Sequence, residues 1–408
     1  MGNSNQLSPT MISAILLDLD DTLLENDIEK FLPVYLQALG KFMAPRIDPA
    51  RLQDALMAGT KAMLENTDPE ITLQQSFEAV FFPKIGMERG PLVPEFERFY
   101  AEGFPPLKDL TRPVDGAVPA VELAFGLRWK VAIATNPLFP LAAIEHRLDW
   151  AGLAPDVYSF DLVPSYESMH FAKPHPEFVA EVLGRIAAQP GEAVFIGNDD
   201  AEDLAPARAL GLATYRVIRG PDAEAASARG QGTMRRLARE LESDHCEAAF
   251  MLPADPSPCA LPALLSGHLG AILHAFGESR WSSCPQEEGW GPVEIACHLR
   301  DVEREITRPR LRKMLAEENP YLLPVESDSW AEQRNYRSQD GPQALRDFAA
   351  ERKATIALLR DLPHADWART ARHALFGPTT LAEQARFSAR HDLLHIEQLQ
   401  GSVAAAGV

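Results

Sequence analysis

Apolar positions follow two rhythms along this chain: short unbroken runs in the first half and helical spacing in the second. Ala14-Ile-Leu-Leu17, Val131-Ala-Ile-Ala134 and Ala193-Val-Phe-Ile196 each give way abruptly to polar residues. Runs this short without polar alternation predict strands covered on both faces, as in the centre of a parallel sheet, where ligands gather beyond the carboxyl ends. Between the first and second runs, residues 25–115 carry helical patterning such as Phe31-Leu-Pro-Val-Tyr-Leu36 and Leu52-Gln-Asp-Ala-Leu-Met57. Residues 219–257 mix charge, proline and small residues and read as a connection with one helix near Met234–Leu241. From 258 onward the pattern is helical, near 259–277, 291–316, 342–361 and 379–404, which predicts a four-helix bundle. Pro292 suits a first helical turn, and Thr380-Leu-Ala-Glu383 reads as a capping box for the last helix.

A chain of 408 residues is too long for one typical domain. We expect a core from 1–24 and 116–218, a helical insertion over 25–115, a linker over 219–257 and a bundle over 258–408. A net charge of −19 argues against nonspecific nucleic-acid or anionic-membrane partners. No stretch approaches an uninterrupted transmembrane helix, and the polar start Met1-Gly-Asn-Ser-Asn5 lacks an export signal, so a cytoplasmic location is expected. Gln6 argues against myristoylation at Gly2. Cys246, Cys259, Cys284 and Cys297 form no Cys-x-x-Cys motif and are expected as reduced thiols.

The polar residues that close the apolar runs carry the chemistry. Asp18 and Asp20 share one side of the chain as the first strand ends, so one carboxylate can attack a phosphorus centre while the other handles the leaving-group proton. By themselves they serve equally as a turn or helix cap. Thr135 closes the second run with a hydroxyl, Pro174 and Pro176 keep Lys173 in a loop, and Asn198-Asp-Asp-Ala-Glu-Asp203 offers oxygen ligands for Mg²⁺. Asp-x-Asp, Thr, Lys and a Gly-led acidic turn, in this order, resemble the haloacid dehalogenase superfamily over residues 10–220. The resemblance implies an α/β Rossmann-like core with a parallel sheet, and makes 25–115 its inserted α-helical cap. It also implies Asp18 as nucleophile, Asp20 as general acid/base, Thr135 as phosphate-binding hydroxyl and Lys173 as neutralising lysine. Mg²⁺ would be held by Asp18, the Asp20 carbonyl and the acidic turn. Asn198 departs from the Asp common at that position, so Asp199 and Asp203 are the expected metal-side carboxylates, followed by Asp200. Asp20 favours a phosphate ester of a small metabolite over a carbon–halogen bond as substrate. In the insertion, Lys61, Glu65, Gln74 and Gln75 are expected as solvated surface and Ala79-Val-Phe-Phe-Pro83 as cap core.

In the second half, His391 and His395 stand four apart on one helical face, above a stripe of Leu381, Ala385, Ser388 and Leu399 that should face the bundle interior. His298 on the second helix is either a third ligand or a hydrogen-bonded core histidine. Three imidazoles with an open position suit Zn²⁺ or Ni²⁺. Trp290-Gly-Pro-Val-Glu-Ile-Ala-Cys-His-Leu299, Asp328-Ser-Trp-Ala-Glu-Gln-Arg-Asn-Tyr336, Gly377-Pro-Thr-Thr-Leu-Ala-Glu383 and the final histidine pair resemble the DinB-like superfamily over 258–408. That resemblance implies an all-α four-helix bundle and a metal triad of His298, His391 and His395. It leaves His268 and His274 as surface or packing residues. It implies either a thiol S-transferase using a low-molecular-weight thiol or a noncatalytic binding module, with a homodimer as the expected assembly.

Overall fold

The computed structural model describes residues 12–220, 223–243, 246–253, 257–278, 281 and 289–405. They form two compact units, one of residues 1–182 and 190–255 and one of 183–189 and 256–408. Cys284 and the amino-terminal residues of the signal and myristoylation arguments lie outside the described residues. Cys246, Cys259 and Cys297 are free thiols.

The first unit opens with β1 (Ala14–Leu17), wholly buried, and then β2 (Leu24–Glu25). The insertion follows as α1 (Ile28–Met43), α2 (Pro49–Leu64), α3 (Leu73–Ile85) and α4 (Val93–Arg98), and the chain returns through β3 (Arg112–Pro113). Strands β2 and β3 pair antiparallel, with Leu24 opposite Pro113, so the insertion leaves and re-enters at one point. Its aromatic interior is built by Phe31, Tyr35, Phe99, Tyr100 and Phe104, with the Tyr35 and Tyr100 hydroxyls 2.9 Å apart. Of the segment 79–83 only Phe81 is fully buried, stacked on Phe77 at 4.8 Å.

After the insertion come α5 (Ala117–Gly126), β4 (Lys130–Ile133), α6 (Leu141–Trp150), α7 (Pro176–Arg185), β5 (Ala193–Gly197), α8 (Ala205–Leu210) and β6 (Ala213–Val217). The sheet is parallel, in the order β4-β1-β5-β6. Leu17 lies level with both Ile133 and Ile196. That register is the structural basis of the site: the polar residues that follow β1, β4 and β5 emerge along one edge of the sheet.

The segment expected as a connection instead extends this unit. β7 (Gln231–Gly232) adds a fifth strand beside β6, and α9 (Met234–Leu241) lies on α5. Met234, Leu237, Ala238 and Leu241 recur at helical spacing and are buried, so the helix has a core face despite its three arginines and Glu240.

In the second unit α10 (Leu261–Glu278), α11 (Pro292–Val302), α12 (Arg308–Ala316), α13 (Trp330–Gln333), α14 (Gly341–Arg360) and α15 (Leu381–Ala405) provide the bundle. Helix α14 contacts α10 and α11, and α10 contacts α15. The residues between α11 and α12 are a single wide helical turn, so one helical path runs through 292–316 as expected. The Thr380–Glu383 capping box is reciprocal: the Thr380 N–H donates to Glu383 Oε2 at 2.7 Å and the Glu383 N–H to Thr380 Oγ1 at 3.2 Å. The unit is not helical throughout, however. β8 (Tyr321–Leu322), β9 (Thr370–His373) and β10 (Gly377–Thr380) form a small sheet in the order β10-β9-β8. Strands of two to four residues are too short to impose a visible period. Contrary to expectation, among the described residues one helix, Pro258–Gly277, is long and apolar enough to cross a membrane; 78% of its apolar window is buried within the protein, and it contributes Leu265, Leu269 and Ile272 to the bundle core.

Candidate catalytic and metal sites

Asp18 leaves the sheet tied to both neighbours: its N–H donates to Ile196 O at 2.9 Å, and the Ala134 N–H donates to Leu17 O at 2.7 Å. The carboxylate is buried. Lys173 Nζ, also buried, donates to Asp18 Oδ1 at 2.7 Å and to Asp203 Oδ1 at 2.6 Å. The Lys173 N–H donates to Asn136 Oδ1 at 3.2 Å, which fixes the loop to the end of the second apolar run. Asp203 folds back over β5, and an added Cβ at Gly197 would stand 2.3 Å from Asp203 Oδ2, so glycine is required there. Thr135 is buried just after β4 on the same edge.

Two buried carboxylates therefore share one ammonium. Burial pushes the Asp18 carboxyl up to about 7, with Lys173 opposing the shift and Asp203 adding to it. Burial works against the charge on Lys173, but Asp18 and Asp203 outweigh it and hold the ammonium above its ordinary value. A buried cluster with two carboxylates and one ammonium fits a further cation, and the oxygen-only donor set suits Mg²⁺.

Asp20 is held from the other side. Arg147 Nη1 donates to Asp20 Oδ2 at 2.6 Å and Asn26 Nδ2 to Asp20 Oδ1 at 2.8 Å. Arg147 is 1% exposed and lies 5.0 Å from the centre of the Phe139 ring. Sequence reading missed this arginine. Its signal was the spacing of Ala143, Ile144, Arg147 and Leu148, which puts the guanidinium on the buried face of α6. Asp199 faces solvent, and its Oδ1 accepts from the Ala201 and Glu202 N–H groups at 2.7 and 2.9 Å, capping the turn that carries Asp203. Asp200 pairs with Arg208 at 2.7 Å. Asn198 Oδ1 accepts from Thr22 Oγ1 at 3.3 Å. The structure thus brings Asp18, Lys173 and Asp203 together and leaves Asp199 turned outward. In the insertion, Lys61 and Glu65 pair with each other, Gln74 donates to Glu78, and Gln75 caps α3.

In the second unit the three predicted histidines converge. His391 Nε2 lies 3.0 Å from His298 Nε2 and 3.1 Å from His395 Nε2. Three nitrogens each about 2.0–2.1 Å from one tetrahedral Zn²⁺ stand about 3.3 Å apart, so the spacing is that of a chelating set. His298 and His395 are buried, and the Trp290 ring lies 4.5 Å from His298 and 6.1 Å from His395 between centroids. His395 Nδ1 contacts Gln398 Oε1 at 2.8 Å, which assigns the proton to Nδ1 and leaves the Nε2 lone pair for a metal. Burial, then repulsion within the trio, drives His298 down to about 2 and His391 to about 3, so all three rings present neutral donors. Behind them Arg352 donates to Asp392 Oδ1 at 2.9 Å, Glu303 Oε2 at 3.0 Å and Ser388 Oγ at 3.2 Å. Burial opposes the Asp392 charge, and the Arg352 guanidinium outweighs it and holds the carboxyl down to about 2. His268 is 1% exposed, 3.8 Å from Asp392, so it is a core residue and not a surface one; His274 is half-buried.

Residues 12–211 match the model for haloacid dehalogenase-like hydrolases, and residues 267–399 match the DinB superfamily. A phosphoglycolate phosphatase of Xylella fastidiosa is 27% identical over 210 residues, covering 50% of this chain and 80% of that protein. A protein of Oceanobacillus iheyensis whose name assigns it to metal-dependent hydrolases is 31% identical over 114 residues, 27% of this chain and 65% of its own length. Among solved structures, a haloacid dehalogenase phosphatase of Thermococcus onnurineus is 20% identical, with a TM-score of 0.37, covering 57% of this chain and 98% of that one.

Proposed function

We propose that this chain, whose residues 12–211 match the haloacid dehalogenase-like hydrolases and whose residues 267–399 match the DinB superfamily, joins a phosphate monoesterase to a transition-metal centre. The observation that carries the first half is Lys173 Nζ bridging Asp18 and Asp203 at 2.7 and 2.6 Å, with Asp20 two residues beyond the nucleophile. Asp18 attacks phosphorus in line, forming a P–O bond to its carboxylate while the ester P–O bond breaks and Asp20 protonates the leaving oxygen. Asp20 then takes a proton from water, which attacks the same phosphorus and returns Asp18 as a carboxylate. The Thr135 hydroxyl donates to a phosphoryl oxygen, and Lys173 balances charge on the transferring group. Asp18, the Asp20 carbonyl and the acidic turn at Asp199 and Asp203 would hold Mg²⁺, which neutralises phosphoryl charge when bound. The outward turn of Asp199 makes Asn198 Oδ1 a further oxygen to test there. The Xylella relative's name points to a small phosphorylated metabolite as substrate.

The second half binds a divalent ion, Zn²⁺ or Ni²⁺, through His298, His391 and His395, with a position left for a substrate thiolate or water. The neutral, converging Nε2 atoms support a working metal site there over a packing module.

The deciding experiment is hydrolysis of 4-nitrophenyl phosphate and a panel of metabolite phosphates with and without Mg²⁺ by wild type, Asp18→Asn and His391→Ala. Turnover that needs Mg²⁺ and Asp18, and not His391, supports the first half. Retained turnover in Asp18→Asn removes the nucleophile.

A further inference from the structure

Beside the three-histidine site the second unit holds a recess of about 240 Å³ whose lining includes Arg310, His373, Gln384, Phe376, Phe387 and His391. His391 also lines the larger cavity, of about 770 Å³, that contains His298 and His395. In a chain of net charge −19, no Asp or Glu is among the described residues lining the small recess. Its one guanidinium is under-used. Arg310 Nη2 donates to Leu323 O at 2.8 Å, and among the described residues no carboxylate pairs with it. Burial alone lowers it from its ordinary value, with no acid beside it to compensate. A desolvated cation without a counter-ion is costly, and a bound anion offsets that cost. His373 supplies a second donor: its Nδ1 accepts from the Leu375 and Phe376 N–H groups at 3.2 and 3.4 Å, so the neutral ring carries its proton on Nε2. Phe376 stacks on His373 at 4.7 Å and leans on Phe387 at 5.0 Å, which adds an aromatic wall although Phe376 itself is 62% exposed.

We propose that this recess binds a small organic anion, its acidic head on Arg310 and the His373 Nε2–H, its apolar body along Phe376 and Phe387, and its far end directed at His391. The anion recess stands on Arg310 and His373, and the meeting of its occupant with a metal rests on the three-histidine reading above. The fork of Arg310 fits a planar carboxylate or a phosphonate-type head alike.

The test is calorimetric titration of the full chain, metal-loaded and chelator-stripped, with 3-phenylpropionate, 2-phenylethylphosphonate and the uncharged 3-phenyl-1-propanol. Either acid should bind at least tenfold more tightly than the alcohol, and the tighter of the two identifies the head group. Arg310→Gln should erase the preference and Arg310→Lys should keep part of it, with metal content and circular dichroism unchanged. Equal affinities for all three, or a preference that survives Arg310→Gln, overturns the proposal. A second arm titrates 3-mercaptopropionate into Co²⁺-loaded protein and reads the thiolate–Co²⁺ absorption, with 3-mercaptopropionamide as the uncharged partner. Thiolate absorption with an Arg310-dependent advantage for the acid places the far end at the metal. Co²⁺ binding without that advantage removes the link to His391. Failure of Co²⁺ to bind overturns the metal reading alone, because the calorimetric preference is read on the chelator-stripped chain as well.

Discussion

The two sites solve opposite electrostatic problems. In the α/β unit, Asp18 and Asp203 bury two negative charges against one positive one, and the donors are all oxygens. In the bundle, three rings are held neutral by burial, His298 and His391 also by their histidine neighbours, and the donors are all nitrogens. The first arrangement suits a hard ion and a phosphoryl group, the second a borderline one. The supports differ as well. Backbone register at the ends of β1 and β5 sets the oxygens, whereas side-chain spacing on α11 and α15 sets the nitrogens.

The comparison breaks most visibly at Asp18. Asp18→Asn should abolish turnover of aryl phosphate while circular dichroism stays native, and any remaining burst of product would show that another group attacks. Asp20→Asn should slow turnover by about 10²–10⁴-fold, the usual contribution of a general acid–base group. Its deficit should be smallest for 4-nitrophenyl phosphate, whose leaving group needs no proton; an equal deficit for alkyl phosphates would argue against proton transfer by Asp20. Lys173→Met leaves two buried carboxylates without their cation and should lower stability by about 3–5 kcal/mol in urea unfolding. A smaller loss would mean that water reaches the pair. His391→Ala should empty the transition-metal site, read by elemental analysis, and leave phosphate turnover within about twofold, since the effects of independent sites add. Coupled loss of both would contradict two separate centres.

The subtlest effect is on pH. Asp18 carries a proton in the metal-free folded chain over a range where the unfolded chain has lost it, because its carboxyl is raised from 3.8 to about 7. Folding is therefore favoured on the acid side, and stability falls as pH rises from about 4 to about 7. Asp18→Asn should flatten that slope in thermal melts of the chelated protein, and added Mg²⁺ should reduce it.

Much of this arrangement is legible in the sequence. Asp18, Lys173 and Asp203 were readable because each follows an apolar run or sits in a proline-bounded loop, so their positions in space follow from the ends of strands. The three histidines were readable because helical spacing maps directly onto a face. Arg147 was not, since an arginine between His146 and Leu148 looks like solvated helix surface until its neighbours' burial is known. The capping role of Asp199 was not legible, because it depends on which backbone N–H groups of the acidic turn are free, and those of Ala201 and Glu202 donate to its Oδ1. The small sheet escaped because its strands are only two to four residues long and β8 joins β9 from about fifty residues away, and the integration of 219–257 escaped because the pairing of β7 with β6, not local pattern, creates it.

The antiparallel pairing of Leu24 with Pro113 has a wider consequence for how such a chain can change. Seen from the sheet, everything between those residues is the tip of a hairpin, and its length places almost no demand on the strands that hold Asp18. The helices there can be exchanged for others as a graft while the reactive centre stays in register. One constraint travels with the graft. Asn26, the first residue beyond β2, holds Asp20 at 2.8 Å, so any replacement must deliver a donor at that same junction or release the acid it steadies.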